Sequence, residues 1–391
     1  MAAESARKFE ALEAQAKTLL DVFKRAGYEQ VAPSIIQPAD IFLDQIGESI
    51  RSRTYVFTDL AGDELCLRPD LTVPVSRLYL ERHPEADTPA RYCYNGPAFR
   101  FQSDRNNQAH PREFRQAGIE SFGQTDRESA DVEVVLLAVE AVRRAGLRNF
   151  RLRFGDIALF YAFIDALALP ERWRLKLRHY FWRPPVFHAL LSRLARGERP
   201  DAEGPAAALA RTLDRDNPEK SEELVARYLD ETGLPLAGNR TLSEITARLL
   251  DLLGDLRAEP LRKEVTTVID YFLAVSAPPK EAADSVAMIA KGAGIDVGPA
   301  LQALVSRFER LEKNGIDLGK CIFATEFGRS FEYYSGLVFQ IEVEGECDAG
   351  QIAGGGRYDG LLAHIGASRD VPAIGSAIHT ERLLAAVERG A

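Results

Sequence analysis

No stretch of this sequence approaches the ~18 consecutive apolar residues that a membrane span needs, and its opening residues, MAAESARKFE, carry no basic-then-apolar signal pattern. A soluble, cytoplasmic chain with no membrane partner is expected. The four cysteines, Cys66, Cys93, Cys321 and Cys347, are widely spaced. With no Cys-x-x-Cys and no histidine close enough to complete a zinc site, reduced buried thiols are expected rather than a disulfide framework or a metal. There is no dense Lys/Arg block, and the net charge is -9. Phosphate neutralisation supplies most of the affinity for nucleic acid, so this balance argues against a nucleic-acid partner. Internal repeats and low-complexity tracts are also missing, and no cofactor is expected.

What is present is the composition of a globular protein, 46% hydrophobic and 27% charged over 391 residues, enough for one large domain or two or three ordinary ones. The most informative stretch is 91–123, RYCYNGPAFRFQSDRNNQAHPREFRQAGIESFG. It reads as two strands joined by a polar loop, Ser103 to Pro111, that has almost nothing to bury. Period-2 alternation puts Arg100 and Gln102 on one face of the outgoing strand and Phe99 and Phe101 on the other. On the return strand Phe114, Gln116, Gly118, Glu120 and Phe122 share a face. The pattern gives a groove with a cation on one wall, a carboxylate and an amide on the other, and a flap above, suited to a small zwitterion or a nucleotide. A solvated hairpin is the plainer reading. It has no need of a glycine between Gln116 and Glu120, whereas a site does, because glycine lets a ligand approach the backbone.

The segment resembles motif 2 of the class II aminoacyl-tRNA synthetases, particularly the histidyl branch. The resemblance implies that Arg100 clamps a carboxylate or an α-phosphate and that Gln116 and Glu120 line an amino-acid pocket. Other parts of the chain fall into the same order. The extended stretch after the opening amphipathic helix (5–26, closed by Gly27) resembles motif 1, a dimer interface. A hairpin turning at Ala61-Gly62-Asp63 leads into Leu67-Arg68-Pro69-Asp70-Leu71-Thr72, which is similar to the family's Pro-Glu-x-Thr, whose acid and hydroxyl hold the substrate ammonium. Asp70 and Thr72 fit those roles, although an aspartate just before a helical run is also an ordinary N-cap. Arg329-Ser330-Phe331-Glu332-Tyr333-Tyr334 resembles the histidine-specific Arg-Gly-Leu-Asp-Tyr-Tyr, which implies Arg329 at the carboxylate end of the ligand and Tyr334, with Tyr333 beside it, at the imidazole. Arg329 and Tyr334 would face opposite ways on a straight strand, so a bend at Gly328 and Gly336 is expected. Gly355-Gly356-Arg357-Tyr358-Asp359 matches the second histidyl signature, and the closing strand and helix resemble motif 3 with Arg382 as its arginine and Thr380 as a helix cap.

The expected fold is therefore α+β: a class II synthetase-like antiparallel sheet flanked by helices across 1–391. Within it, residues 170–315 read as a helical insertion, Leu/Ala/Arg/Glu-rich and broken by Gly and Pro loops, with 286–289 as an exception to the helical pattern.

The departures from the family bear on function. The sequence ends soon after Arg382, so no anticodon-binding domain is expected. Gln102 stands where the family has an adenine-binding glutamate, and His379-Thr380-Glu381-Arg382 replaces Gly-x-Glu-Arg, putting an imidazole where the adenine needs bare backbone. The candidate histidine contacts, Asp70, Thr72, Arg100, Gln116, Glu120, Arg329, Tyr333 and Tyr334, are kept in kind. Lost adenylation with a retained pocket resembles the regulatory-subunit family of ATP phosphoribosyltransferase. That resemblance implies a non-catalytic chain, a short catalytic subunit as partner at the first step of histidine biosynthesis, histidine as effector, and a homodimer within a hetero-oligomer, typically an octamer. The alternative is a truncated histidyl-tRNA synthetase that adenylates histidine.

Overall fold

The computed structural model describes residues 5–44, 52–102, 111–198, 203–233, 241–259, 261–328, 333–343 and 350–390. The chain divides into two compact units, Met1–Phe163 with Phe272–Ala391, and Ile164–Tyr271.

In the larger unit the first helix, α1 (Ala6–Arg25), is capped by Ser5, whose hydroxyl accepts from the Lys8 amide. Leu12, Ala16, Leu19 and Phe23 recur at helical spacing and are all buried, and Gly27 ends the helix at φ +87°. After β1 (Glu29–Gln30), a small sheet forms from β2 (Ile36–Pro38), β3 (Tyr55–Thr58) and β4 (Glu64–Leu67) in the order β2-β4-β3, with the short helix α2 (Asp40–Asp44) between its first two strands. The expected β3–β4 hairpin is present, and Gly62 in its turn has φ +96°.

The main sheet has nine strands, in the order β1-β5-β6-β12-β11-β10-β7-β9-β8. Its centre is β5 (Ala90–Phe99), β6 (Glu113–Phe122), β12 (Ala373–His379), β11 (Gln351–Arg357), β10 (Leu337–Glu342) and β7 (Arg151–Asp156), every neighbouring pair antiparallel. The expectation of an antiparallel sheet holds there, while β1 with β5 and β7 with β9 (Cys321–Ala324) pair in parallel, and β8 (Ser276–Ala277) closes the far edge. Residues 325–328 and 333–336, between β9 and β10, are not strand, and the rest of the stretch in which a bend is expected lies outside the described residues.

Helix α1, helix α4 (Arg127–Arg144) and the last helix, α15 (Thr380–Glu388), which follows the short α14 (Leu361–His364), pack on the central strands. Helix α3 (Thr72–Arg82) packs on β6, where the Tyr79 ring stacks on Phe122 at 4.6 Å. His379, not Thr380, is the N-cap of α15, because the strand runs on to position 379 and Thr380 is already helical.

The smaller unit is built of helices: the end of α5 (Ile157–Ala166), α6 (Glu171–Tyr180), α7 (Pro184–Ala195), α8 (Pro205–Thr212), α9 (Pro218–Thr232), α10 (Leu242–Arg257) and the start of α11 (Lys263–Leu273). Ala207, Ala210, Leu213, Val225, Leu253 and Leu256 form a core there. The helical stretch read at 170–315 thus divides. Helices α12 (Pro279–Ala293) and α13 (Gly298–Lys313) belong to the larger unit, where α12 packs on β9 and α13 on α4, and residues 286–289 are helical. A contiguous helical texture in sequence does not reveal which of its helices return to the sheet.

Candidate functional site

Side chains in direct register across a sheet share a face. Glu120 on β6 therefore stands beside Tyr92 on β5 and Gly375 on β12, while Gly118 stands beside Tyr94 and Ala377, and Gln116 beside His379. On β11, Gly356 and Gly354 continue the same rows. The result is a floor almost without side chains, walled by polar groups. A Cβ at Gly118 would lie 2.5 Å from the Tyr94 hydroxyl, so the bare residue leaves room for that tyrosine to reach over.

Glu120 anchors one end and has no exposed surface. Its Oε1 accepts from the Thr72 hydroxyl at 2.7 Å and from the Tyr94 hydroxyl at 3.0 Å, and its Oε2 accepts from the Tyr358 hydroxyl. Among the described residues no basic side chain forms an ion pair with it. Burial pushes its carboxyl up to about 7; the three hydroxyls oppose the rise and the nearby Asp70 adds to it.

Asp70 is buried at the start of α3. Its Oδ1 accepts the Val73 amide at 3.2 Å, so the capping reading holds for one oxygen, while Oδ2 has no hydrogen-bond partner. Burial raises its pKa, against the pull of the Val73 amide and of Arg100. Gln116, also buried, likewise leaves its Oε1 without a partner. Other buried polar atoms, Asn95 Oδ1 among them, also lack a partner, so what sets Asp70 and Gln116 apart is their place beside Glu120: Gln116 on the same face of β6, and Asp70 close enough to raise the Glu120 pKa.

Arg100 is brought beside this acid: its Nε donates to the Pro69 carbonyl at 2.9 Å and its guanidinium lies 4.9 Å from the centre of the Phe114 ring. Tyr334 is buried over the floor, where a Cβ on Gly356 would lie 2.9 Å from its ring. Tyr333 is half-buried, 4.9 Å from the Tyr334 ring and 5.8 Å from that of Tyr358. Arg329 lies outside the described residues, as does most of the loop at 103–111. Asp70, Thr72, Arg100, Gln116, Glu120, Tyr333 and Tyr334 thus surround one floor, with Thr72 tied to Glu120.

Tyr94, Tyr358 and Gly375 complete the setting of Glu120 without having been singled out from the sequence. Tyr358 stood inside the Gly-Gly-Arg-Tyr-Asp signature, but its role emerges only once β11 is placed two strands from β6.

At the other end of the face, the His379 ring lies against Phe114, with centroids 5.2 Å apart. Gln102 accepts the Arg112 guanidinium on its backbone oxygen, at 2.7 and 3.1 Å. Glu381 takes the Arg115 amide on both carboxylate oxygens, and Arg382 donates to the Gln351 carbonyl at 3.1 Å.

This sheet, hairpin and floor define a class II synthetase-like protein, and comparison with known proteins agrees. The family model for histidyl-tRNA synthetase matches residues 4–217 and 221–383. Among solved structures, one described as an ATP phosphoribosyltransferase regulatory subunit/histidyl-tRNA synthetase from Bacillus halodurans superposes with a TM-score of 0.64 at 20% identity, covering 99% of this chain and 82% of that one. A histidine–tRNA ligase subunit from Alicyclobacillus acidocaldarius gives 0.59 at 24%, covering 100% and 96%. Curated relatives narrow the assignment. An ATP phosphoribosyltransferase regulatory subunit from Mesorhizobium japonicum is 35% identical over 371 residues, 94% of this chain and 96% of that one. Its counterpart from Rhizobium meliloti is 35% identical over 384 residues, 97% and 98%. The chain belongs to the histidyl-tRNA synthetase-like family of ATP phosphoribosyltransferase regulatory subunits.

Proposed function

We propose that this chain is the non-catalytic regulatory partner of a short catalytic phosphoribosyltransferase chain at the first step of histidine biosynthesis in the cytoplasm, and that it senses histidine in the pocket described above. The carrying observation is the pair of buried acceptors without donors, Asp70 Oδ2 and Gln116 Oε1, on a face that also holds the buried carboxylate of Glu120. An amino acid with an ammonium group and a ring N–H supplies donors for such a set: the ammonium to Asp70 and Gln116, the imidazole to Glu120 beside Tyr334. Arg100 and Arg329 would take the carboxylate.

Adenylation is not expected. His379, whose ring lies 5.2 Å from that of Phe114, fills the position where the family's glycine leaves room for the adenine, and Gln102 replaces the acid that would read the adenine amino group. The reading is tested by calorimetry of histidine against the isolated chain, together with histidine-dependent ATP–pyrophosphate exchange. Histidine binding without exchange supports a sensor; exchange at synthetase rates supports the truncated synthetase instead.

The same reading includes a homodimer inside a hetero-octamer. On the small sheet Ile36, Leu67 and Tyr55 form one row and Pro38, Leu65 and Phe57 the next, all on one face. Ile36 is 51% and Phe57 38% exposed, and Phe101 adds its ring edge-on to Tyr55. A second copy is the occupant that the motif 1 resemblance implies for this apolar surface.

A further inference from the structure

The hydroxyl that Tyr358 places on Glu120 is held from behind the sheet. Tyr358 is flanked by Arg357 and Asp359, and both flanks are tied down. Arg357 projects to the helix-covered face, where it donates to Asp131 Oδ1 on α4 through Nε at 2.9 Å and Nη2 at 2.5 Å. It also donates to the Arg127 carbonyl at the start of α4, and through Nη1 to Asp359 at 2.8 Å. Asp359 in turn accepts the Ala373 amide at 2.9 Å, and the Tyr358 amide donates to the Ala373 carbonyl. The second oxygen of Asp131 is taken by Arg307 of α13, Nε to Oδ2 at 2.7 Å.

Asp131 has no exposed surface, and Arg307 and Arg357 are also buried. A carboxylate so placed, with one guanidinium from a helix and one from the strand leading to Tyr358, has two strong directional partners and nowhere else to turn. Asp156 is the other acid close to Arg307, and its Oδ1 is occupied by the Leu159 amide. One turn along α13 from Arg307, Arg310 donates to Ser129 of α4 at 2.5 Å, on the rim of an open groove of about 620 Å³ between the two helices. The α4–α13 seam is therefore pinned twice, once at its surface and once at the carboxylate that fixes the strand beneath the pocket.

We propose that Arg307 and Asp131 are positioning residues for the imidazole end of the pocket: through Arg357 they set where Tyr358 meets Glu120, so the seating of α13 on α4 tunes histidine affinity. This rests on the histidine-sensor reading. Arg307 touches no ligand in this account. Its effect passes through Tyr358, which separates it from a residue that merely holds the fold together.

The test is a double-mutant cycle read as histidine affinity by calorimetry, with Arg307→Met, Tyr358→Phe and the two combined. Arg307→Met leaves Asp131 paired with Arg357, so the chain is expected to fold. It should weaken histidine binding about tenfold, within the range seen for coupled neighbours. In the Tyr358→Phe background the same change should cost less than about twofold, and Arg307→Lys should restore part of the wild-type affinity. Equal losses in both backgrounds, or no loss in the first, overturn the proposal. If Arg307→Met does not fold, the same cycle is run with Arg307→Lys, with the same criterion of non-additivity. Absence of histidine binding in the unmodified chain would instead overturn the sensor reading.

Discussion

Glu120 and Gly375 face each other across β6 and β12, and the carboxylate of the first fills the space that a side chain on the second would need. A Cβ built at position 375 lies 1.6 Å from Glu120 Oε2, a distance no packing adjustment at 375 alone can relieve. The glycine in Pro-Ala-Ile-Gly is thus required by the acid rather than by its own backbone conformation. Gly375→Ala should drive the Glu120 carboxylate off its three hydroxyls and lower stability by about 1 to 3 kcal/mol, the usual cost of overpacking. Histidine binding should fall below detection. Denaturant melts and calorimetry check both, and wild-type affinity in a folded Gly375→Ala chain would show that Glu120 is not held as described.

Burial of Glu120 sets a pH dependence whose sign is fixed. Its carboxyl is raised from 4.5 in the open chain to about 7 in the fold, so between those values the folded state holds a proton that the unfolded chain has released. Stability must therefore fall as pH rises through this window, by up to about 3 kcal/mol in total, and level off above about 7. Asp70, raised by burial too, acts in the same sense. Glu120→Gln removes the Glu120 share. The measurement is the difference in unfolding free energy between wild type and Glu120→Gln from about pH 5 to 8, which should grow in favour of the mutant. A flat difference would mean that Glu120 is ionised at the bottom of the range.

The hairpin, the opening helix and the short β3–β4 turn were legible in the sequence because each is governed by local rules: alternation, a helical stripe with a glycine stop, a glycine in a tight turn. The pocket was legible only in part. Strand alternation singles out Glu120 and the resemblance Asp70, but Thr72 bonding to Glu120 depends on α3 meeting β6, and Tyr358 reaching Glu120 depends on a strand order that skips from β6 to β12 to β11. The ion pairs of Asp131 with Arg307 and Arg357 join positions far apart in the chain, and no local pattern announces such a contact. The helices at 279–313 look, residue by residue, like those before them, and what assigns them to the larger unit is the surface they bury.

The exposed face of the small sheet carries a prediction about assembly. Replacing Ile36 and Phe57 together by lysine places two charges in the middle of an apolar surface that a partner copy would have to desolvate. The dimer dissociation constant should rise at least about tenfold, read by sedimentation at micromolar concentration. Histidine affinity per chain should stay within about twofold, since neither residue lines the pocket. A wild-type monomer at that concentration would dismiss the homodimer, and an unperturbed mutant dimer would move the interface elsewhere.

Feedback should be separable from activation by one substitution. On the sensor reading Glu120 would accept the ring N–H of histidine, and a hydrogen bond to a charged group contributes about 1.5 to 3 kcal/mol, or roughly 10- to 150-fold in affinity. Glu120→Gln keeps the shape and the three surrounding hydroxyls, of which those at the new amide oxygen still donate while those at its NH2 can rotate to accept. Activation of a catalytic chain depends on a docking surface, and Glu120 has no exposed atom with which to contribute to one. If histidine inhibits by favouring one state of the complex, weaker binding must shift the inhibition curve by the same free energy. Phosphoribosyltransferase turnover of the reconstituted complex, titrated with histidine, should show equal uninhibited rates for wild type and Glu120→Gln and an inhibitory concentration at least about tenfold higher for the mutant. Unchanged inhibition would place the feedback site on the catalytic chain or at a subunit boundary, and equal loss of turnover in the absence of histidine would mean that the pocket supports activation as well.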